Sequence, residues 1–306
     1  MDNKPTLSLG LPNFGTTLSA DGWRQHIDMA READNAGIDR VIVVDHVVMG
    51  PHTDAYSWGR FPTPPEAPWL EPLTVLAVIA GVTSRVRLGT GILIAPLRGA
   101  TLLAKTAATL DVLSGGRVDL GVGTGWQKEE YDAAGLDFSQ RGQLLSDTLA
   151  ACKALWNDVP AEIDLPTVQF TETYCVPQPL QPGGVPLWVS GSLVRPVIER
   201  VVRWGDGWIP IMTATVDDIQ DGAALLRSAF ADSGRDPDSL QVRAPLPVVR
   251  DADGTIDLPA SLREVPRLVD AGATDIAVQF QAVCRDPADA AAAFAALVGG
   301  FRSALA

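Results

Sequence analysis

Four short stretches carry groups suited to chemistry. Asp45-His46 follows a run of aliphatic residues, and His46 is one of only three histidines, with His26 and His52. An imidazole titrates near pH 6.5, so at the end of a strand it can pass a proton at neutral pH. The plainer alternative is that Asp45 and His46 anchor the loop that follows. The stretch Gly121-Val122-Gly123-Thr124-Gly125-Trp126 lets backbone N–H groups face an anion or a flat ring. Thr124 adds a hydroxyl donor and Trp126 a broad apolar face; the alternative is a tight turn with a packing Trp. Ser190-Gly191-Ser192 precedes a predicted helix, which makes either an anion site or an ordinary N-cap. In Gly89-Thr90-Gly91-Ile92, two glycines near a strand end mark a bulge or a close approach to backbone.

Other candidates are weaker. His26 falls inside the first predicted helix and reads as a surface residue, and His52 lies in a Pro-rich loop. Glu129 and Glu130 read as solvated partners of a helix N-terminus. Asp45, His46 and His52 are too few for a metal centre, so none is expected. No Gly-x-Ser-x-Gly elbow for a serine nucleophile occurs.

The elements that must position these groups alternate from end to end. β-rich runs are predicted at 7–11, 40–44, 86–94, 118–122, 186–190, 207–211, 240–249 and 275–280. Helical patterns follow at about 21–36, 70–82, 100–113, 139–156, 194–203, 216–231, 258–271 and 287–304. Eight strands each followed by a helix is the count of an α/β fold of the (β/α)8 TIM-barrel type, read as a single domain over 1–306. A doubly wound open sheet is the competing reading, but its dinucleotide fingerprint is missing. Gly10 to Gly15 lacks the spacing, and Trp126 stands where a third glycine belongs. Two Pro-rich stretches, 51–68 and 157–184, are predicted as long loops acting as lids. The first holds Tyr56, Trp58 and Phe61 and is followed at once by Trp69; these four, with Trp126, are expected to wall an apolar substrate pocket.

Composition narrows the class. The chain has 306 residues, 46% hydrophobic and 20% charged, with a formal net charge of −13. That balance argues against nucleic acid or an anionic membrane as partner. Cys152, Cys175 and Cys284, odd in number and far apart, exclude a disulfide framework and fit a reducing cytoplasm. No signal peptide is expected, and the apolar segment 72–82 is too short to span a bilayer.

Taken together, V-V-D-H (43–46), A-P-W-L-E-P-L (67–73), R-V-R-L-G-T-G-I-L (85–93), T-L-D-V-L-S-G-G-R-V-D-L-G-V-G-T-G-W (109–126), R-G (141–142), A-L-W (154–156) and G-D-G-W (205–208) resemble the luciferase-like monooxygenase superfamily. They look most like its branch of oxidoreductases that use the deazaflavin coenzyme F420. The resemblance is dense from about residue 7 to 210 and thin afterwards, and it implies the same barrel. It also implies a cis peptide at Gly91-Ile92, packed behind the cofactor ring with Thr90 beside it. Asp45 then contacts the ring or its tail and His46 transfers the proton. Gly123, Thr124, Gly125 and Trp126 lie along the cofactor, and Ser190, Gly191 and Ser192 hold its phosphate.

Two departures stand out. Ser192 replaces the second phosphate-loop glycine. Trp126 occupies the position of a catalytic Glu in the sugar-phosphate dehydrogenase members, so that mechanism does not transfer. The resemblance implies hydride transfer between the deazaflavin and a small apolar substrate. The alternative is an FMN-dependent monooxygenase using reduced flavin and oxygen, and a non-enzymatic binding barrel is the third reading. A homodimer through the apolar helix at 70–82 is a further expectation.

Overall fold

The computed structural model describes residues 4–15, 22–254 and 256–306. Aliphatic runs bounded by turn residues form the strands, and each is followed by an amphipathic stretch that covers it. In order these are β1 (Thr6–Gly10), α1 (Trp23–Ala36), β2 (Arg40–Val43), α2 (Pro72–Ala80), β3 (Arg87–Thr90), β4 (Leu93–Ile94), α3 (Ala100–Ser114) and β5 (Val118–Gly123). Next come α4 (Lys128–Ala133), α5 (Arg141–Asn157), β6 (Ala161–Leu165), β7 (Val168–Thr173), β8 (Leu187–Ser190), α6 (Arg195–Trp204) and β9 (Gly207–Ile209). The chain ends with α7 (Val216–Asp232), β10 (Gln241–Pro245), α8 (Leu258–Leu262), α9 (Val265–Asp270), β11 (Asp275–Gln279) and α10 (Ala290–Ala304). The predicted start of the first helix at Asp21 lies outside the described residues.

The sheet runs β3-β2-β1-β11-β10-β9-β8-β5-β4, and a β3–β5 pairing closes it into an eight-staved parallel barrel. The expected single strand over 86–94 is two pieces of one stave. Leu88 pairs with Val118 and Leu93 with Val122, and the Gly91–Ile92 peptide between them is cis. Helices end where glycine allows a left-handed turn: Gly37 closes α1 at φ 93° and Gly115 closes α3 at φ 72°. The core lies between staves and helices. Leu7, Val41, Leu88, Leu120, Val189, Val242 and Ile276 pack outward on Leu76, Ile79, Leu103, Leu149, Leu226 and Phe294.

Three expectations need correction. The stretch 157–184 is not a plain loop, since β6 and β7 form an antiparallel hairpin in it. Thr167 at its turn donates N–H and hydroxyl to Asp147 Oδ2 on α5, at 3.1 and 2.8 Å. A segment between a helix and the next strand lies at the N-terminal end of a barrel, away from the mouth, so it cannot be a lid. The helix predicted over 258–271 breaks into α8 and α9, because Pro266 lacks the N–H a continuous helix would use. The last helix begins at Ala290, after a 3-10 turn at Pro287–Asp289.

His26 is likewise not on the surface. The buried stripe of α1 runs through His26, Met29, Ala30 and Ala33. His26 is 2% exposed, and among the described residues neither ring nitrogen has a hydrogen-bond partner. Burial lowers its pKa from 6.5 to about 4, with the Pro12 backbone opposing. The unfolded chain therefore binds a proton between pH 6.5 and 4 that the folded chain refuses. Stability falls as pH drops through that window, by about 2 kcal/mol at pH 5. His26→Leu is expected to flatten this acid limb, measured as urea midpoints at pH 7 and pH 5. Equal slopes in both proteins would remove His26 as the cause.

The closing pair β3–β5 also has a steric requirement. A Cβ at Gly121 would lie 2.1 Å from the Thr90 carbonyl oxygen and 2.9 Å from Ile209 Cδ1. Gly121→Ala is expected to lose about 1–3 kcal/mol in denaturant unfolding, through forced displacement of the stave.

Candidate functional site

The C-terminal ends of the staves form the mouth. Two inward positions per strand make two layers. The lower layer holds Ser8, Arg40, Asp119, Trp188, Arg243 and Asp275, nearly all sealed. The layer above it is open: Gly91, Ile92, Ser190, Ile209, Pro245 and Ala277 are half-buried and Gln279 is exposed. A concave, mainly apolar floor thus lies over a charged base.

Asn13 braces the rim. It is fully buried and donates to the carbonyls of Val44 and Leu70, both at 2.8 Å, while accepting from Val44 N–H at 3.0 Å. Asp45 continues this framework. Its Oδ2 accepts from Ile94 N–H at 2.8 Å, and Arg98 grips both oxygens at 2.7 and 2.9 Å. Arg98 also binds Glu71 at 2.8 Å, and Glu71 caps α2 through Thr74 N–H. Burial acts to lower the Arg98 pKa, but bonding to Asp45 and Glu71 outweighs it and raises it. The Asp45 side chain is fully sealed. In this structure Asp45 acts as a brace that ties Ile94 to Arg98.

His46 is differently placed. Its Nδ1 lies 2.9 Å from Glu130 Oε2, and Glu130 Oε1 accepts from Val47 N–H at 2.8 Å. Glu130 is 2% exposed. With Nδ1 committed to Glu130, Nε2 is the ring nitrogen left to accept or donate. Nε2 makes no hydrogen bond among the described residues. The short helix α4 carries Glu130, and Gln127 before it clamps Gly50 through bonds of 2.8 and 3.2 Å. Glu129 sits 3.9 Å from the exposed His52.

Aromatic rings enclose His46. Trp69, Phe61 and Trp126 meet it edge-on, with centroids at 4.7, 5.4 and 5.8 Å. Tyr56 stands 5.3 Å from each of Phe61, Trp126 and Trp58. Phe14 stacks on Trp69 at 4.3 Å. The five aromatics picked out in the sequence therefore do gather at one place, around the histidine also picked out there. The Trp69 Nε1 donor is buried without a partner among the described residues, an unspent hydrogen bond in the wall.

The remaining candidates divide. Gly123 ends β5 and Thr124 and Gly125 follow it directly; Gly125 has φ 68° and packs on Ile94. Thr124 gives its carbonyl to the Tyr131 hydroxyl, whose pKa burial raises. Thr90 is fully buried, with its hydroxyl bonded to the Gly121 carbonyl at 2.7 Å. Both backbone groups of Gly191 are engaged. Its N–H is taken by the Ile209 carbonyl at 3.1 Å and its carbonyl by Trp208 Nε1 at 2.9 Å. What remains there is Ser190, the exposed Ser192 and the N-terminus of α6, whose cap residue Val194 provides no side-chain acceptor. Among the described residues, no group of three His, Cys, Asp or Glu side chains could hold a metal, and no helix is long and apolar enough to cross a membrane.

Sequence reasoning missed Glu130, Asn13 and Arg98. The carboxylate pair at 129–130 was visible, but only the helical turn of α4 turns Glu130 inward while Glu129 stays at the surface.

The family model described as luciferase-like monooxygenase matches residues 7–255. The chain belongs to this family. A Mycobacterium tuberculosis protein of uncharacterized function is 36% identical over 167 residues, covering 55% of this chain and 58% of that one. A phthiodiolone/phenolphthiodiolone dimycocerosates ketoreductase from the same species is 33% identical over 174 residues, 56% of this chain and 45% of that one. The chain thus spans about half the length of these relatives. Two solved structures share the fold. An F420-dependent secondary alcohol dehydrogenase in complex with an F420-acetone adduct has a TM-score of 0.77 at 16% identity, covering 98% of this chain and 99% of that one. The monooxygenase RslO1 from Streptomyces bottropensis has a TM-score of 0.75 at 19% identity, covering 98% and 100%.

The carboxylate behind His46 has a measurable structural role. Glu130→Ala leaves His46 Nδ1 and Val47 N–H without an acceptor. A loss of about 2–3 kcal/mol in urea unfolding is expected, with faster hydrogen exchange at the Val47 amide. Glu130→Gln keeps an acceptor for one of them and is expected to lose less.

Proposed function

We propose that this chain is an oxidoreductase that binds the deazaflavin coenzyme F420 in the barrel mouth and acts on a small, neutral, apolar carbonyl or alcohol compound. The observation that carries this reading is the His46–Glu130 pair, buried and ringed by aromatics, with Nε2 open. The residues fit the cofactor. The half-open floor of Gly91, Ile92, Ile209 and Ala277 suits a flat ring. The uncapped N-terminus of α6 beside Ser190 and Ser192 suits a phosphate, and the unspent Trp69 Nε1 suits an acceptor on either ligand.

When bound, F420 would supply a hydride at C5. His46 holds the matching proton: Nε2 gives it to a carbonyl oxygen during reduction, or takes it from a hydroxyl in the reverse direction. Glu130 stabilises the imidazolium and fixes the tautomer. Phe61, Trp69, Trp126 and Tyr56 exclude water and bind the apolar body of the substrate. Asp45 and Arg98 hold the stave behind the ring in place. The ketoreductase relative and the fold shared with an F420-dependent alcohol dehydrogenase support this reading.

The purified protein is to be titrated with F420 and, separately, with FMN, following fluorescence quenching. Micromolar binding of F420 and reduction of hydrophobic ketones by its reduced form are expected. His46→Ala should lower kcat by about 100-fold or more while the F420 Kd moves less than about threefold. Binding of FMN alone, with oxygen consumption, would replace this reading by that of a monooxygenase. An undiminished rate in His46→Ala would remove His46 from proton transfer.

A further inference from the structure

The charged layer beneath the mouth is not evenly paired. Arg40 bonds Asp119 through Nε at 2.8 Å and Asp275 through Nη1 at 2.9 Å. Arg87, a third exposed, also takes Asp119, at 2.6 and 2.7 Å. Arg243 has only a share of Asp275, through Nε at 2.6 Å. Three guanidinium groups thus face two buried carboxylates. Arg243 is 3% exposed; among the described residues its Nη2 has no hydrogen-bond partner and its Nη1 reaches only the Thr90 carbonyl, at 3.5 Å. Its guanidinium lies on the Trp188 ring at 4.4 Å, with Arg40 over the same ring at 5.1 Å. Repulsion from Arg40 adds to the burial cost at Arg243. An arginine keeps its charge even so.

The placement of this unmatched charge matters. Thr90 directly precedes the cis Gly91–Ile92 peptide. Pro245 and Ala277, two residues beyond Arg243 and Asp275, belong to the half-open floor. Two residues along a strand rise about 6–7 Å, so the guanidinium lies roughly one side-chain layer below whatever rests on the floor. At that range, through protein rather than water, a unit charge is weakly screened.

We propose that Arg243 is a fixed positive base beneath the cofactor site, favouring the reduced, electron-rich form of the bound ring over the oxidised form. This rests on the reading that a deazaflavin or flavin occupies the mouth. Arg243 is sealed in the layer below the floor, so it acts as a positioning charge that sets the reduction potential.

The test uses the full chain and compares Kd for oxidised and reduced F420, and for oxidised and reduced FMN, under anaerobic conditions. The midpoint potential of the bound cofactor is read alongside. The wild-type protein should bind the reduced form at least tenfold more tightly. Arg243→Met should lower the reduced-to-oxidised affinity ratio by about tenfold, which for two electrons is about 30 mV more negative. Arg243→Lys, which keeps the charge and loses the fork, should stay within threefold of wild type. Equal affinities for the two forms in the wild type would overturn the proposal without any variant, which guards against failure of Arg243→Met to fold. Matching shifts in the Met and Lys variants would make Arg243 a packing residue and overturn it as well. If neither cofactor binds the wild-type protein, the functional reading itself fails and takes this inference with it.

Discussion

The barrel is tied across its axis by one side chain. Arg40, on β2, bonds Asp119 on β5 and Asp275 on β11 at once. These staves are not neighbours in the closed sheet, so a buried guanidinium fork links what backbone ladders cannot. Removing such charges from water is costly. Burial pushes the carboxyl pKa values of Asp119 and Asp275 up, but Arg40 and its partners pull both below the usual range. A buried network of this kind is poor evidence for net stability, but it strongly specifies which staves face which. It also plugs the lower half of the barrel, which leaves the upper half as the place for a ligand.

Above that plug, the mouth is built by two loops locked together rather than by one mobile lid. The β2 loop contributes His46, Gly50 and the Pro-rich segment with its aromatic rings. The β5 loop contributes Trp126, Gln127 and Glu130. Glu130 and Gln127 each accept backbone N–H groups of the β2 loop, so His46 is oriented by the same bonds that hold the loop. The fold thereby gives a titratable ring a fixed acceptor on one nitrogen and an apolar surround on its faces.

The family match spans residues 7–255 and so covers most of the barrel, including the staves that bring Ile209 and Arg243. The two relatives described above align over little more than half of this chain.

Much was legible in the sequence because it depends on local chemistry. Strand runs, helix periodicity and stops such as Gly37 and Gly115 are short-range effects, and they gave the eight-staved barrel. The gathering of Tyr56, Trp58, Phe61, Trp69 and Trp126 with His46 was also legible, since all lie after strand ends that a barrel must bring to one face. The hairpin in 157–184 was not, because prolines at its margins hide a short alternating pattern. Its place at the far end of the barrel depends on chain direction around the ring. Nor could the sequence tell Asp45 from Glu130. Both are carboxylates near a strand end, and local propensity is blind to which of them meets an arginine and which an imidazole. Tertiary packing alone decided that Asp45 is sealed by Arg98, that Glu130 turns inward onto His46, and that His26 is buried. Each outcome depends on long-range contacts made only once the staves close, where desolvation leaves every buried charge in need of a partner.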